Sequence, residues 1–454
     1  DSIAPNYYFY AVQQISKPSY REAFQFWMKL GWISFGGPAG QIAIMHEYLV
    51  EKKKWISEKK FLHALNYCML LPGPEAQQLA TYTGWLLHGV KGGLTAGLLF
   101  ILPSIFILLG LSIVYVQFGN IPWVYALFDG LKPAVVAIVL VAMIKIAKRS
   151  LKTVLHYVVA LMSFIAIFFL NIPFPFIILS AIILAFIIRW LNPKLFEQKN
   201  NNGEKEEEEK GFYLTTTTVI PGTEFHILKL IRQVGIFLLL WCIPMLLFFG
   251  FSVDFVFWKN LSLFFTQAAF VTFGGAYAVL PYVAQQAVEN FHWLNSLQMI
   301  DGLALGETTP GPLIMVLSFV GFMGAYGQFG NSLLAGTIGL LTTTYYTFLP
   351  CFLFIFAGAP LIEKTQQNNA VKVILSFVTA AVTGVVLNLT IYFAEAVIFN
   401  KNHNAFNEIN FSDLNLINLL WIAISFMALY RFKVDMMLWI GISAVFGLIK
   451  FFVL

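Results

Sequence analysis

Charged residues are scarce in this 454-residue chain: they make up 11% of it, whereas 59% of the residues are hydrophobic. A soluble globular protein carries about 25% charged residues, and a water-soluble chain of this size could not cover its surface with so few. The apolar runs 92–117, 163–188 and 234–251 are each long enough to cross a bilayer as a helix. The composition therefore predicts an all-α, polytopic integral membrane protein, with the cell membrane as its expected location.

Cysteines are also few, and the net charge is small. Cys68, Cys242 and Cys351 all lie in apolar segments and share no metal-ligand spacing, so neither a disulfide framework nor a metal site is predicted. The formal net charge of +5 is small and dispersed, which argues against nucleic acid as a partner. The chain lacks HExxH, GxSxG and Walker A motifs, so neither an enzyme nor an ATP-driven pump is favoured, and no cofactor is expected.

Several short motifs occur twice in the chain at one constant separation. Because matches at one offset in three separate motifs are improbable by chance, the sequence predicts a tandem repeat. The copies are assigned to residues 1–191 and 253–454, with 192–226 as a connector and 227–252 as a linking transmembrane helix. Phe35-Gly36-Gly37 recurs as Phe273-Gly274-Gly275, Trp55 as Trp293, and Pro72-Gly73-Pro74 as Pro310-Gly311-Pro312; the later match of Leu102-Pro103 to Leu349-Pro350 implies a nine-residue insertion near 327–331.

The stretch 192–223 is the least membrane-like part of the chain. It contains the run EKEEEEK at 204–210 and an Asn-rich stretch before it. Such a segment cannot bury enough apolar surface to order itself, so we interpret it as a flexible connector. A regulatory tail is the alternative.

The charges of the loops predict opposite orientations for the two copies. The first copy has a basic connection at 145–152 followed by an uncharged one at 171–173. The second has an acid-containing connection at 394–413 followed by a turn with Arg431 and Lys433. Under the positive-inside rule, equivalent loops lie on opposite sides of the membrane. Inverted repeats of this kind are typical of secondary transporters.

The segments that flank the motifs are too short to span a bilayer. Segments 21–35, 41–53, 60–71 and 75–88 would reach roughly 18–22 Å, against a hydrocarbon core of about 30 Å. Gly-Gly-Pro and Pro-Gly-Pro do not continue a helix. Each copy is therefore expected to contain two re-entrant helical hairpins broken at these motifs, plus about four spanning helices. In the second copy the hairpins fall at 258–290 and 296–324. Ordinary Pro-kinked spanning helices are the alternative.

Helices that restart at the breaks would point free N–H groups at one central region, and such helix ends attract anions. One helix terminus contributes at most about 2 kcal/mol, so backbone N–H groups, hydroxyls, water and a cation or proton must act together. Helix capping is the alternative role of each polar side chain there. The candidate substrate-binding residues are Ser34, Gly36, Gly37, Pro38, Gly73, Pro74, Gln77, Gln78, Thr272, Gly274, Gly275, Thr308, Thr309 and Gly311.

Carboxylates near the breaks are candidates for proton coupling, because intramembrane carboxylates are costly and usually functional. Glu75 directly follows Pro74, and Glu307 lies three residues before Pro310. A helix-dipole role is the alternative for both. His46 is a further candidate because it could titrate near neutral pH, with a surface location as its alternative. Lys132, beside Asp129, is interpreted as a side chain that reaches towards the interface rather than as an intramembrane cation.

Through these motifs the chain closely resembles the chromate ion transporter family in its two-domain form. The resemblance rests on residues 34–89 (from SFGGPAGQIAIM to ATYTGWLLHG), on FGGAYAVLPYV at 273–283 and on LALGETTPGPLIMVLSFVGF at 303–322. Ala276 and Tyr277 stand where the first copy has Pro38 and Ala39, so the two copies are not equivalent. The residues at the family's motif positions are Gly36, Gly37, Pro38, Pro72, Gly73, Pro74, Glu75 and Gln78, and in the second copy Gly274, Gly275, Thr309, Pro310, Gly311 and Pro312.

The resemblance implies a carrier that exports chromate in exchange for, or coupled to, protons. The leading prediction is a secondary oxyanion transporter that works by alternating access, with sulfate as a second substrate of the same charge and shape. An oxyanion channel of the same architecture is the nearest alternative, and a membrane-embedded enzyme is a third. The expected partners are the oxyanion, protons and the lipid bilayer, and a homodimer is left open.

Overall fold

The structure, a computed structural model, describes residues 16–191, 211–216, 218, 226–365, 369–399 and 414–453, except for the side chains of 359–372. Within these residues the backbone is helical apart from its turns and one isolated β-bridge, which confirms the all-α prediction. The helices are α1 (Tyr20–Ile33), α2 (Gly37–His46), α3 (Glu58–Cys68), α4 (Glu75–Phe118), α5 (Pro122–Ser150), α6 (Val154–Phe168), α7 (Phe174–Leu191), α8 (Ile227–Phe251), α9 (Phe255–Val271), α10 (Ala276–Ala284), α11 (Ser296–Thr308), α12 (Val316–Gln328), α13 (Leu333–Thr365), α14 (Asn369–Ile398), α15 (Leu416–Phe426) and α16 (Met436–Val453).

The length and surface of the helices confirm an integral, multi-pass membrane protein. Seven helices in the described part of the chain are long and apolar enough to cross a membrane, including the linking helix α8. Of the 25 residues of α8, only Phe237 is buried. Large apolar side chains such as Trp190 (82% exposed) and Phe251 (87% exposed) face outward. A surface of this kind is stable against lipid and unfavourable in water.

The helices follow one order in both halves of the chain. Each half begins with two pairs of short helices, α1/α2 and α3/α4 in the first half and α9/α10 and α11/α12 in the second. Four longer or apolar helices follow in each. Helix α4 serves two of these roles, because His88 and Gly89 have non-helical backbone angles that divide it. In the second half a turn at 329–332 separates α12 from α13, where the insertion was predicted.

The agreement between the halves extends to single hydrogen bonds. Short π-helical turns follow α2 and α10, at Glu47–Lys52 and Gln285–Asn290. The Trp55 N–H donates to the Leu49 carbonyl at 2.8 Å, and the Trp293 N–H donates to the Ala287 carbonyl at 2.8 Å. The opposite membrane orientation of the two halves, and the re-entrant insertion of the short pairs, stay predictions.

The two halves are interlocked rather than placed side by side. Helix α5 packs against α14, α15 and α16, and α14 packs against α5, α6 and α7. Close backbone approach makes this packing possible: a Cβ on Gly130 of α5 would lie 2.5 Å from the Gly447 Cα of α16. Small residues at such crossings are typical of membrane helices. The larger of the two hydrophobic clusters therefore contains residues from both halves of the chain.

The prediction of a flexible connector is wrong for residues 211–216. Leu214 forms a parallel β-bridge with Ile56 and is 2% exposed. Its N–H donates to the Trp55 carbonyl at 3.0 Å, and its carbonyl accepts from the Ser57 N–H at 2.8 Å. The charged run dominates the composition of the segment, but the residues that follow it are apolar and supply surface that can be buried. The run at 204–210 lies outside the described residues.

Candidate functional site

Each pair of short helices is interrupted at its Gly/Pro motif, as the sequence predicts. Helix α1 ends at Ile33 and α2 begins at Gly37, while α9 ends at Val271 and α10 begins at Ala276. Gly37 (φ +71°) and Gly311 (φ +100°) have backbone angles that L-residues with a side chain rarely adopt. Gly36, Gly73, Gly274 and Gly275 also have positive φ.

The structure joins the breaks of one half to those of the other. The Gly73 N–H donates to the Thr272 carbonyl at 2.7 Å. The Gly311 N–H donates to the Ser34 carbonyl at 2.8 Å, so the two bonds are equivalents under the repeat. The first break of each half therefore contacts the second break of the other, so the four motifs are joined in two pairs.

Buried side chains brace these crossing points. The Gln41 amide donates to the Gly311 carbonyl at 2.6 Å and to the Ser34 carbonyl at 3.2 Å. The Gln78 amide donates to the Pro72 carbonyl at 2.6 Å. Ser104 donates to the Pro310 carbonyl, while its repeat equivalent Cys351 packs against Gly73. The bracing fixes the backbone of the breaks without filling the space in front of Gly36 and Gly37, where a Cβ would meet nothing within 4 Å.

We expect Gln41→Leu to destabilise the protein, because it leaves the buried Gly311 carbonyl without this donor. An unsatisfied buried acceptor costs about 1–3 kcal/mol. The measurement is thermal unfolding of the purified protein in detergent, with Gln117→Leu at an exposed position as the control. Equal unfolding temperatures for the two variants would show that Gln41 does not brace the crossing.

Helix capping distinguishes the two members of each short pair. The helices that lead towards a break carry side-chain caps: Ser19 caps α1, Ser57 caps α3, Asp254 caps α9 and Asn295 caps α11. The helices that restart after a break, α2, α4, α10 and the Leu313–Met315 turn that leads into α12, have no side-chain cap. Their first N–H groups are thus left for another acceptor.

The predicted hydroxyl ligands are used differently from N-terminal caps. Ser34 and Thr272 donate back to carbonyls of the helices that precede them, each at 2.6 Å. Thr308 and Thr309 do the same, each at 2.8 Å. In this conformation their hydrogens are bound within the chain, so backbone N–H groups are the better donors for an anion. The side-chain oxygens of Gln77 and Gln78 are buried and have no hydrogen-bond partner among the described residues.

The three predicted proton carriers lie in different surroundings. Glu307 is 4% exposed and accepts a hydrogen bond from the Tyr277 hydroxyl. Glu75 is half-buried as the first residue of α4, within electrostatic range of Arg149. His46 contacts the exposed Glu51 and Glu58, at 3.2 and 2.5 Å, near the far end of its helix pair. Glu75 and Glu307 are therefore at the breaks, whereas His46 is not.

The interpretation of Lys132 as a side chain that reaches the interface is wrong. Its side chain is 4% exposed, and its ammonium lies 3.8 Å from Asp301 and 3.9 Å from Asp129. Asp301 comes from α11 in the other half of the chain, and the local sequence around Lys132 does not indicate this contact. Gln41 and Tyr277 were also missed as partners; an amide and a phenol in otherwise apolar helical stretches were the available signal.

The fold and these broken helices define a multi-pass membrane protein with paired breaks, an arrangement found in secondary transporters. The chain belongs to the chromate transporter family, whose sequence model, described as Chromate transporter, matches residues 21–186 and 259–448. It is accordingly a membrane transporter rather than an enzyme, as predicted. Membership of this family also supports the predicted location in the cell membrane.

Similar proteins cover nearly the same length. Uncharacterized transporter MJ0718 of Methanocaldococcus jannaschii is 26% identical over 96% of both chains. Chromate transport protein of Cupriavidus metallidurans is 28% identical over 83% of this chain and 84% of its own. Probable chromate transport protein of Synechococcus elongatus is 28% identical over 81% and 83%. No solved structure matches the chain.

Proposed function

We propose that this protein is a secondary active transporter of an oxyanion, chromate first and sulfate second, that couples transport to a proton gradient by alternating access. The relatives named as chromate transport proteins, similar over most of both chains, support the substrate. Sulfate has the same charge and shape as chromate, so a site built from backbone N–H groups would not separate the two.

The observation that carries the proposal is the absence of side-chain caps on the helices that restart at the four breaks. Free N–H groups at a helix start favour a negative charge, each end by about 0.3–1 kcal/mol and at most about 2. A dianion in a low-dielectric region needs more than this. Four convergent helix starts, direct N–H hydrogen bonds and a bound proton together supply the stabilisation of the dianion that one helix end cannot.

The open start of α2 is the proposed contact point with the substrate. Gly36 precedes α2 as its cap residue, and Gly37 with Pro38 begins it. Pro38 has no N–H to satisfy and sets the helical φ at this position. Because a side chain on Gly36 or Gly37 would project into free space, the missing Cβ atoms let an anion approach the backbone.

The crossed hydrogen bonds between the halves support alternating access. The break of α1/α2 is tied to that of α11/α12, and the break of α3/α4 to that of α9/α10. If the halves are inverted, each tied pair reaches towards both sides of the membrane. Tilting one pair against the other would then open the central region to one side at a time.

Transport assays in proteoliposomes test the function as a whole. We expect uptake of radiolabelled chromate that saturates, competes with sulfate and increases when a pH gradient is imposed. Linear flux that does not respond to the gradient would show an oxyanion channel instead. The absence of flux for any oxyanion tested, from protein that is monodisperse before reconstitution, would contradict the proposal.

Gly37→Val tests the position of the site. We expect it to raise the Kd for oxyanion about two- to thirtyfold, because loss of one helix terminus costs about 0.3–2 kcal/mol. Gly211→Val is the matched control: it also has positive φ and free space around a Cβ, but it lies in the connector. Calorimetric titration of the purified proteins with sulfate measures both. Unchanged affinity in Gly37→Val would exclude the start of α2 as a contact.

A further inference from the structure

A polar cavity lies away from the breaks, between the two halves of the chain. Its volume is about 400 Å³. It is bounded by the C-terminal end of α4, the first part of α5, the beginning of α11, the end of α12 and the turn that follows. Its polar lining includes Tyr115, Tyr125, Lys132, Gln298, Asp301 and Asn331.

Lys132 and Asp301 line this cavity, and a second ion pair, Lys450 with Asp129, lies beside them. The four charged groups are not equally paired. The Lys450 ammonium donates to Asp129 at 2.8 Å, a direct ion pair. Lys132 lies 3.8 Å from Asp301 and 3.9 Å from Asp129, beyond the 2.7–2.9 Å typical of a charged hydrogen bond. With Lys450 matched to Asp129, the ammonium of Lys132 depends on Asp301 for its compensation.

Asp301 has one free oxygen. The Tyr115 hydroxyl donates to its Oδ2 at 2.9 Å, whereas Oδ1 has no hydrogen-bond partner among the described residues. Asp301 and Lys132 are each 4% exposed, yet both line the cavity. A buried acceptor without a donor is costly. A proton on this oxygen would relieve the cost and would remove the negative charge opposite Lys132.

We propose that this cavity is a proton-linked oxyanion site, in which a proton binds Asp301 and an oxyanion of the sulfate or chromate class then binds the Lys132 ammonium. With Asp301 ionised, the four charges of the cluster cancel and an anion is repelled by the carboxylate. With Asp301 protonated, the cluster carries one net positive charge next to the cavity. Binding of the anion and of the proton therefore favour each other, and the coupling is reciprocal.

The titratable groups that face Asp301 directly come from α4 and α5. Tyr115 faces it from α4, and Lys132 with Asp129 from α5. Other titratable groups lie near the cluster without contacting Asp301. Lys450 of α16 pairs with Asp129, and Tyr125 of α5 lies beside Lys132. Tyr326 of α12 lines the cavity wall, and Tyr392 of α14 is hydrogen-bonded to Ser296 at the start of α11.

The inference rests on the proposed oxyanion transport, to which it adds a second site where proton and anion meet. It differs from the central region in its means of binding, since it uses a buried side-chain cation instead of helix starts. A Gly37→Val protein therefore keeps this site intact while the central site is weakened, and the part of its binding that depends on Lys132 reports on the cavity.

The test is the pH dependence of sulfate binding to purified Gly37→Val protein, measured by calorimetry together with proton uptake. We expect the affinity to rise on acidification, by up to about tenfold per pH unit while Asp301 is ionised in the free protein. Asp301→Asn should bind sulfate with no such dependence and without proton uptake at this site. Lys132→Met should lose the binding, and Lys132→Arg should retain it.

Two controls keep the result decisive. Lys132→Met leaves Asp301 buried without its cation, which could itself destabilise the protein. The double variant Lys132→Met/Asp301→Asn removes both charges. It therefore tests the loss of binding in a protein without an unpaired buried charge. Glu47→Gln removes a carboxylate from an exposed pair with Lys52 and should change nothing. Proton-linked binding that persists in Asp301→Asn, or sulfate binding in the double variant that equals that of the Gly37→Val protein, would overturn the inference. Gradient-driven transport by wild-type protein would still uphold the proposed function.

Discussion

Glu75→Gln and Glu307→Gln are each expected to abolish chromate accumulation driven by a pH gradient, down to the level of protein-free liposomes. Exchange of oxyanion without a gradient is expected to persist. Glutamine copies the shape of a protonated glutamate but cannot release a proton, so a cycle that needs both states stops while binding survives.

The surroundings of the two carboxylates support a role in the cycle. Glu75 begins the uncapped helix that follows Pro-Gly-Pro, so it lies where an anion would approach and where its own charge would compete with the substrate. Glu307 is buried one residue before Thr308, with the Tyr277 hydroxyl as its donor. An unpaired buried charge is costly. Both carboxylates lie within electrostatic range of a cation from α5, which is Arg149 for Glu75 and Lys145 for Glu307. Protonation of either carboxylate therefore changes the net charge at the breaks.

Flux in proteoliposomes with and without a pH gradient measures the effect. Tyr277→Phe separates the hydrogen bond from the charge: it removes the donor and leaves Glu307 able to titrate, so gradient-driven transport should survive in weakened form. Unchanged accumulation in both Glu→Gln variants would show that neither residue is the coupling group and would move attention to His46. That histidine contacts two exposed glutamates, and we expect His46→Gln to have the smallest effect of the three.

The local features of the fold could be predicted because their causes are local. Proline without an N–H and glycine with positive φ end a helix wherever they occur, so the breaks after α1, α3, α9 and α11 were visible in Gly-Gly-Pro, Pro-Gly-Pro and Phe-Gly-Gly. The repeat was visible for the same reason, since equivalent breaks need equivalent residues. The kink at His88–Gly89, where α4 changes from a short helix to a long one, coincides with the predicted end at residue 88.

The partners across the two halves could not be predicted from either half alone. Lys132 lies beside Asp129 in the sequence, which favoured a solvated cation, yet packing of α5 on α11 buries it opposite Asp301. Gln41 contacts Gly311 for the same reason. The Tyr277–Glu307 contact depends on a difference between the copies, since Ala39 occupies the equivalent position in the first. Interactions between distant residues depend on how helices pack, and one sequence read along its length does not contain that information.

Cysteine labelling is expected to show the two copies on opposite sides of the membrane at equivalent turns. Asn171 and Lys433 occupy the turns before α7 and α16, with φ of +50° and +51°. Lys54 and His292 occupy the turns after the first helix pair of each copy, both with φ of +52°. The four side chains are exposed, so access to a reagent depends only on the side of the membrane.

In right-side-out cells, an impermeant thiol reagent should label Asn171→Cys and His292→Cys, whereas Lys54→Cys and Lys433→Cys should react only after permeabilisation. The basic residues near Lys54 and Lys433 place those turns in the cytoplasm, and the uncharged turn at Asn171 belongs outside. Because Cys68 and Cys351 are buried, Cys242→Ser gives a background without exposed native thiols. Labelling of Asn171→Cys and Lys433→Cys from the same side would mean parallel copies, and the crossed hydrogen bonds between the breaks could then not join segments that reach in from opposite faces.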